Sequence, residues 1–114
     1  MSTLKDLEPS IRLSIVNPNT ESSSVFGRGI ASLCIGVRDT GSLNAAAKNM
    51  RMAYSKAWRI IKETEAALGV QLLNRDGAHG STLTEECEQI LNAYQAVEQA
   101  VQEHAAKLYA EHIS

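Results

Sequence analysis

The stretch that decides the fold is Asp39-Thr40-Gly41-Ser42-Leu43-Asn44-Ala45-Ala46-Ala47-Lys48-Asn49-Met50-Arg51-Met52-Ala53-Tyr54-Ser55-Lys56-Ala57-Trp58-Arg59. Thr40-Gly41 stops one helix, and Ser42 starts another, because a serine hydroxyl can accept from an orphan N–H of the first turn. The apolar face of that short helix is Leu43, Ala46, Ala47 and Met50, and its consecutive alanines let a neighbour approach closely. Met50-Arg51-Met52-Ala53 forms a tight turn, and a further helix begins at Tyr54.

Working outward, that helix has two sides. Tyr54, Ala57, Trp58, Ile61 and Leu68 line one, with Trp58 expected in the core; Ser55, Lys56, Arg59 and Lys62 line the other, and Gly69 is the stop. Upstream, Ile30, Leu33, Cys34 and Val37 recur at helical spacing after Gly27. Further upstream, Ile11 to Val16 alternate with period two and predict a half-buried strand, with Ser23 to Phe26 as a short return strand. Downstream, Gln71 to Arg75 and Ser81 to Thr84 read as two short strands around Asp76-Gly77-Ala78-His79-Gly80, a glycine-bearing tip. Thr84 then caps a long final helix.

This order predicts a mainly α fold with a small β wing: a winged helix-turn-helix over 11–84, and a C-terminal dimerisation helix over 85–112, in a single domain spanning 1–114.

The 114 residues are enough for one self-sufficient core, and 44 % hydrophobic content is ordinary for a globular chain. Two cysteines exclude a disulfide framework or a four-cysteine zinc site. Aromatics at 4 % are too sparse for a base-stacking platform. His79, His104 and His112 lack metal-ligand spacing. Neither a phosphate-cradling loop nor a nucleophile elbow is found, so neither an enzyme nor a cofactor is expected. No membrane span or signal peptide is read, which makes the expected location cytoplasmic.

The net charge of −2 hides a polarised chain. Between Lys48 and Lys62 the charged residues are Lys48, Arg51, Lys56, Arg59 and Lys62, all positive; from Glu85 to Ser114 the net is −5. Cations and hydroxyls on one helical stripe suit phosphate oxygens and base edges of double-stranded DNA. Ser55, Lys56, Arg59 and Tyr54 are the expected groove-facing residues. Ser42, Lys48, Arg51, Lys62, Arg75 and His79 are the expected supporting contacts.

The sequence from Asp39 to Lys48, followed by Met52 to Arg59, resembles the helix-turn-helix of the ModE family of molybdate-responsive regulators, itself similar to the N-terminal domain of LysR-type regulators. Leu83-Thr84-Glu85-Glu86 matches the family's step from wing to linker helix, and Phe26-Gly27-Arg28-Gly29 resembles its single-domain members. The resemblance covers residues 11 to 110. It implies a dimeric, double-stranded-DNA-binding transcription regulator. It does not imply molybdate binding within this chain, because the family's oxyanion domains lie C-terminal to this region. The wing is shorter than the family's glycine-rich one, and Cys87 stands where glycine is usual.

Along the last helix Cys87, Ile90, Tyr94, Val97, Val101, His104 and Leu108 fall at alternating spacings of three and four, a heptad-like seam. Homodimerisation through Cys87, Ile90, Tyr94, Val97, Val101 and Leu108 would give the two-fold symmetry of a near-palindromic operator. The competing reading is a protein-interaction module that uses the acidic C-terminal helix and carries no nucleic acid.

Overall fold

The computed structural model describes residues 3–75 and 80–114. Among the described residues, a 3-10 turn at Leu4–Asp6 precedes four α-helices and a two-stranded antiparallel ribbon: α1 Arg28–Thr40, α2 Leu43–Asn49, α3 Tyr54–Leu68, β1 Leu73–Arg75, β2 Ser81–Leu83 and α4 Glu85–Ile113. This is a winged helix-turn-helix followed by a long C-terminal helix.

Each boundary has a local chemical cause. Gly41 takes the left-handed conformation (φ 74°), and its N–H bonds back to Val37 O at 2.7 Å, closing α1. Ser42 Oγ accepts from Ala45 N at 3.1 Å and opens α2. In the turn, Arg51 adopts φ 55°, and the Met52 N–H returns to Ala47 O at 2.9 Å. Gly69, again left-handed, ends α3.

The three helices close on Phe26, Leu33, Cys34, Val37, Leu43, Ala46, Ala47, Ala57 and Ile61, all buried. Burying one large side chain of this kind contributes about 1.5–3 kcal/mol. The α1–α2 crossing is tight. A Cβ built on Gly36 would lie 2.6 Å from Ala46 Cβ, so hydrogen at this position is what permits the approach.

Behind α3, Glu65 accepts from the N–H groups of Leu72 (2.7 Å) and Leu73 (3.3 Å), which fixes the entry to β1. The ribbon pairs Leu73 with Leu83, Asn74 with Thr82 and Arg75 with Ser81. Its base is tied to the α1–α2 corner by Ser81 N–H donating to Gly41 O at 2.9 Å. Thr84 has two roles: its hydroxyl donates to Gln71 O (2.6 Å) and accepts from Cys87 N (3.0 Å), capping α4. The expected tip falls partly on residues 76–79, including His79, which lie outside the described residues.

Two expectations for the chain's first third need correction. The strand over Ile11 to Val16 and its return over Ser23 to Phe26 reduce to a single bridge, Ile15 to Phe26, with both N–H···O contacts at 2.9 Å. Side chains tie the segment down instead: the Ile11 N–H donates to Gln102 Oε1 (2.9 Å), and Asn17 Nδ2 donates to Ala67 O at the end of α3 (3.1 Å). The period-two pattern still sorts the faces, since Leu13 and Ile15 pack on the core.

The final helix has two unlike halves. Cys87, Leu91 and Tyr94 are buried against the domain itself; Tyr94 meets Phe26 edge-on at 5.6 Å, and Cys87 Sγ lies 3.5 Å from Cys34 Sγ. Cys87 and Tyr94 are therefore core residues rather than members of a free seam, and Ile90 is half-buried against the same cluster. Beyond them Val97, Val101 and Leu108 remain exposed at 40–45 %. A different face of this outer half is clasped by the N-terminal segment. Gln102 Nε2 donates to Pro9 O (2.6 Å), and Tyr109 Oη donates to Leu4 O (2.7 Å). The 29 residues of α4 span about 43 Å at the α-helical rise, most of the molecule's 57 Å length.

Candidate nucleic-acid interface

Helix α3 divides as its sequence predicts along most of its length. Ala57, Ile61, Thr64 and Ala67 are buried, while Ser55, Lys56, Arg59 and Lys62 are exposed. Thr64 tolerates burial because its hydroxyl donates to Ile60 O at 2.8 Å. The three residues Ser55, Lys56 and Arg59 sit within little more than one turn, so their side chains share one outer surface. Lys48 is exposed near the end of α2, and Arg51 is exposed in the turn.

Trp58 departs from expectation. It is only partly buried, although it touches the core cluster. Ala57 and Ile61 already fill the inward face of α3, and the indole lies at the edge of it. There it carries two cations: the Arg75 guanidinium carbon lies 3.6 Å from the ring centroid, and Lys62 Nζ lies 4.5 Å from it. Both distances are within the range of cation–π attraction. Lys62 also pairs with Glu65 Oε1 at 3.2 Å, so part of the positive charge counted in the sequence is neutralised one turn away.

Arg75, at the end of β1, also donates through Nη2 to Tyr54 Oη. The wing strand and the first turn of α3 are thereby joined through side chains. Tyr54, exposed at 38 %, is at the rim rather than in the core. Between these elements lies an open cavity of about 540 Å³, walled by Ser42, Asn44, Tyr54, Arg75, Ser81 and Gly80. Ser42, Tyr54 and Arg75, three residues picked out in the sequence, are thus brought to one site. Asn44 and Ser81 were missed, because nothing in their local pattern distinguishes them. They come together only when β2 is tied to the α1–α2 corner.

Residues 32–88 match the model of the bacterial regulatory helix-turn-helix protein, lysR family. The chain belongs to the LysR family. Solved structures agree with that placement. This LysR-family chain is similar to the one in "Crystal structure of CbnR_DBD-DNA complex", with 26 % identity, a TM-score of 0.58, and coverage of 71 % of this chain and 92 % of that one. It is also similar to the LysR family transcriptional regulator CbnR (26 % identity, TM-score 0.55, covering 70 % of this chain and 27 % of that one). A third similarity is to VV2_1132, a LysR family transcriptional regulator (25 % identity, TM-score 0.53, covering 62 % and 24 %). The chain therefore spans about a quarter of those two regulators' length. No curated protein sequence matches it significantly. Among the described residues, no helix is long and apolar enough to cross a membrane.

Proposed function

We propose that this LysR-family chain is a sequence-specific, double-stranded-DNA-binding transcription regulator that works as a homodimer on a near-palindromic operator. The observation that carries the reading is the division of α3: a buried small-residue and isoleucine face, opposed by exposed Ser55, Lys56 and Arg59. A helix held from behind in this way can enter a major groove, where arginine pairs with guanine through two hydrogen bonds. The similarity to a DNA-binding domain solved with DNA supports the same assignment.

In this reading Ser55, Lys56 and Arg59 read base edges, and Lys48, Arg51, Lys62 and Arg75 hold phosphates, with Ser42 and Tyr54 beside them. The exposed Val97, Val101 and Leu108 of α4 meet their equivalents in a second copy. Two antiparallel helices would then set two copies of α3 about one DNA turn apart.

Selection of bound sequences from a random duplex pool tests the roles. Arg59→Ala should relax base preference at one position in each half-site. Lys48→Ala should weaken all duplexes about equally and lower the salt slope by about one per half-site. An unchanged motif from the Arg59 variant, together with an altered one from the Lys48 variant, would reverse the assignment. Failure of the wild-type protein to retain any duplex at low salt would remove the function itself.

A further inference from the structure

Contact with the core accounts for only part of the Trp58 indole, which touches the cluster while standing at the edge of α3. Ala57 and Ile61 are fully buried beneath α3, and the ring sits partly buried at the helix edge. Its neighbours there are polar or charged. The Arg75 guanidinium lies 3.6 Å above its centroid, and the same guanidinium donates to Tyr54 Oη. Tyr54 and Trp58 are one turn apart on α3, so their side chains form two sides of a holder around the head of an arginine that belongs to the wing.

We infer that Trp58 is a positioning residue for the DNA-binding surface: with Tyr54 it presets the Arg75 guanidinium at the mouth of the cavity between α2, α3 and the wing, where a backbone phosphate is held. The inference rests on the DNA-binding reading and adds to it a residue that carries neither charge nor base contact.

The chemistry is consistent. A free arginine side chain samples many rotamers, and fixing it on binding is entropically unfavourable. Stacking on an indole takes that loss before DNA arrives. The guanidinium has five N–H donors, and the bond to Tyr54 engages only one nitrogen, which leaves donors for a phosphate. The tyrosine oxygen accepts from Arg75, so its own hydrogen is free to donate to the same anion. Among the described residues, the cavity wall is Ser42, Leu43, Asn44, Tyr54, Arg75, Gly80 and Ser81, none of which brings a carboxylate.

A double-mutant cycle on the full chain, read with a mixed-sequence duplex, tests this. Trp58→Leu keeps apolar bulk but loses the aromatic face, and should weaken binding by about 3- to 10-fold. Because the charge remains, it should leave the salt slope near the wild-type value. Arg75→Ala should weaken binding and also lower the salt slope by about 0.9 for each phosphate that is no longer neutralised. In the Arg75→Ala background, Trp58→Leu should have a much smaller effect, since only the more distant Lys62, 4.5 Å from the ring, is still stacked on it. Trp58→Phe should recover most of the affinity. Additive losses in the cycle, or a Trp58→Leu protein that binds like wild type, would overturn the inference.

A second readout needs no DNA. Trp58 is the only tryptophan, so its emission reports the holder directly. Arg75→Ala should raise iodide quenching of that emission, and unchanged quenching would overturn the stacking arrangement. If quenching rises yet wild type binds no duplex, the holder exists but both the DNA-binding reading and the phosphate role are wrong.

Discussion

Replacing Gly36 by alanine adds one methyl group where α1 crosses α2. The new Cβ would start 2.6 Å from Ala46 Cβ and 3.1 Å from Ala46 Cα. Comfortable carbon–carbon contact lies near 3.5–4.0 Å, so the helices must separate by roughly 1 Å. Relief by side-chain rotation is not available, because the obstacle is an alanine on a helix backbone and Ala46 is 1 % exposed. Overpacking of this kind costs about 1–3 kcal/mol, and the better helix propensity of alanine returns about 0.5–1 kcal/mol. The midpoints of these two ranges leave a net loss of about 1.3 kcal/mol. Unfolding entropy near 2.1 cal/mol/K per residue gives the 114-residue chain about 0.24 kcal/mol/K, so the melting temperature should fall by about 5 °C. Gly29 supplies the control in the same helix: it is exposed, and a Cβ there meets nothing within 4 Å. Gly29→Ala should hold or raise the melting temperature. Calorimetry or circular dichroism of the three proteins decides the matter. A Gly36→Ala protein that melts at or above wild type would show that the crossing is not held by the missing side chain.

Three other outcomes are expected. Gly80→Ala combines φ 103° with a Cβ inside contact distance of Gly41 O, so it should break the Ser81–Gly41 tie and lower stability by about 1–3 kcal/mol in denaturant titration; an unchanged midpoint would contradict it. Val101→Glu places charge on the exposed stripe of α4 and should shift sedimentation equilibrium to the monomer without loss of helicity, whereas an unchanged mass would exclude Val101 from the contact. Burial, followed by the hydrogen bond to Glu98, raises the Tyr94 hydroxyl pKa above its ordinary value. The unfolded chain then loses that proton first, so the associated stability is complete below about pH 10 and declines as pH rises beyond it. Urea midpoints at pH 9 and pH 11 should converge in Tyr94→Phe relative to wild type; an equal drop in both proteins would refute this.

The parts of this fold that could be read from the sequence are those with local causes. Gly41, Ser42, Gly69 and Thr84 act within one helical turn of themselves, and the boundaries they mark are where the structure has them. The division of α3 was equally legible, because a 3.6-residue period depends on nothing distant. Trp58 was misplaced because hydrophobicity does not tell a core indole from one at a helix edge beneath an arginine 17 positions away in the chain. Cys87 and Tyr94 fitted a heptad as well as they fit the core. The arbiters, Cys34 and Phe26, lie on the far side of the helix-turn-helix in sequence. Leu91 was recoverable, since it stands four residues after Cys87 and three before Tyr94.

The clasp of the N-terminal segment on α4 has a consequence for the order of assembly. Its bonds join residues 91 to 105 positions apart, from Ile11–Gln102 to Leu4–Tyr109. At about 5–20 residues per second, the ribosome needs roughly 5–20 seconds between making Leu4 and making its partner. Helices α1 to α3 and the wing can meet during that interval through shorter loops, whereas Phe26 and Cys34 wait uncovered until α4 emerges. The segment from Leu4 to Ile11 is consequently made well before α4 and docks only after it, and until α4 arrives the nascent chain holds an open hydrophobic face that chaperones can recognise.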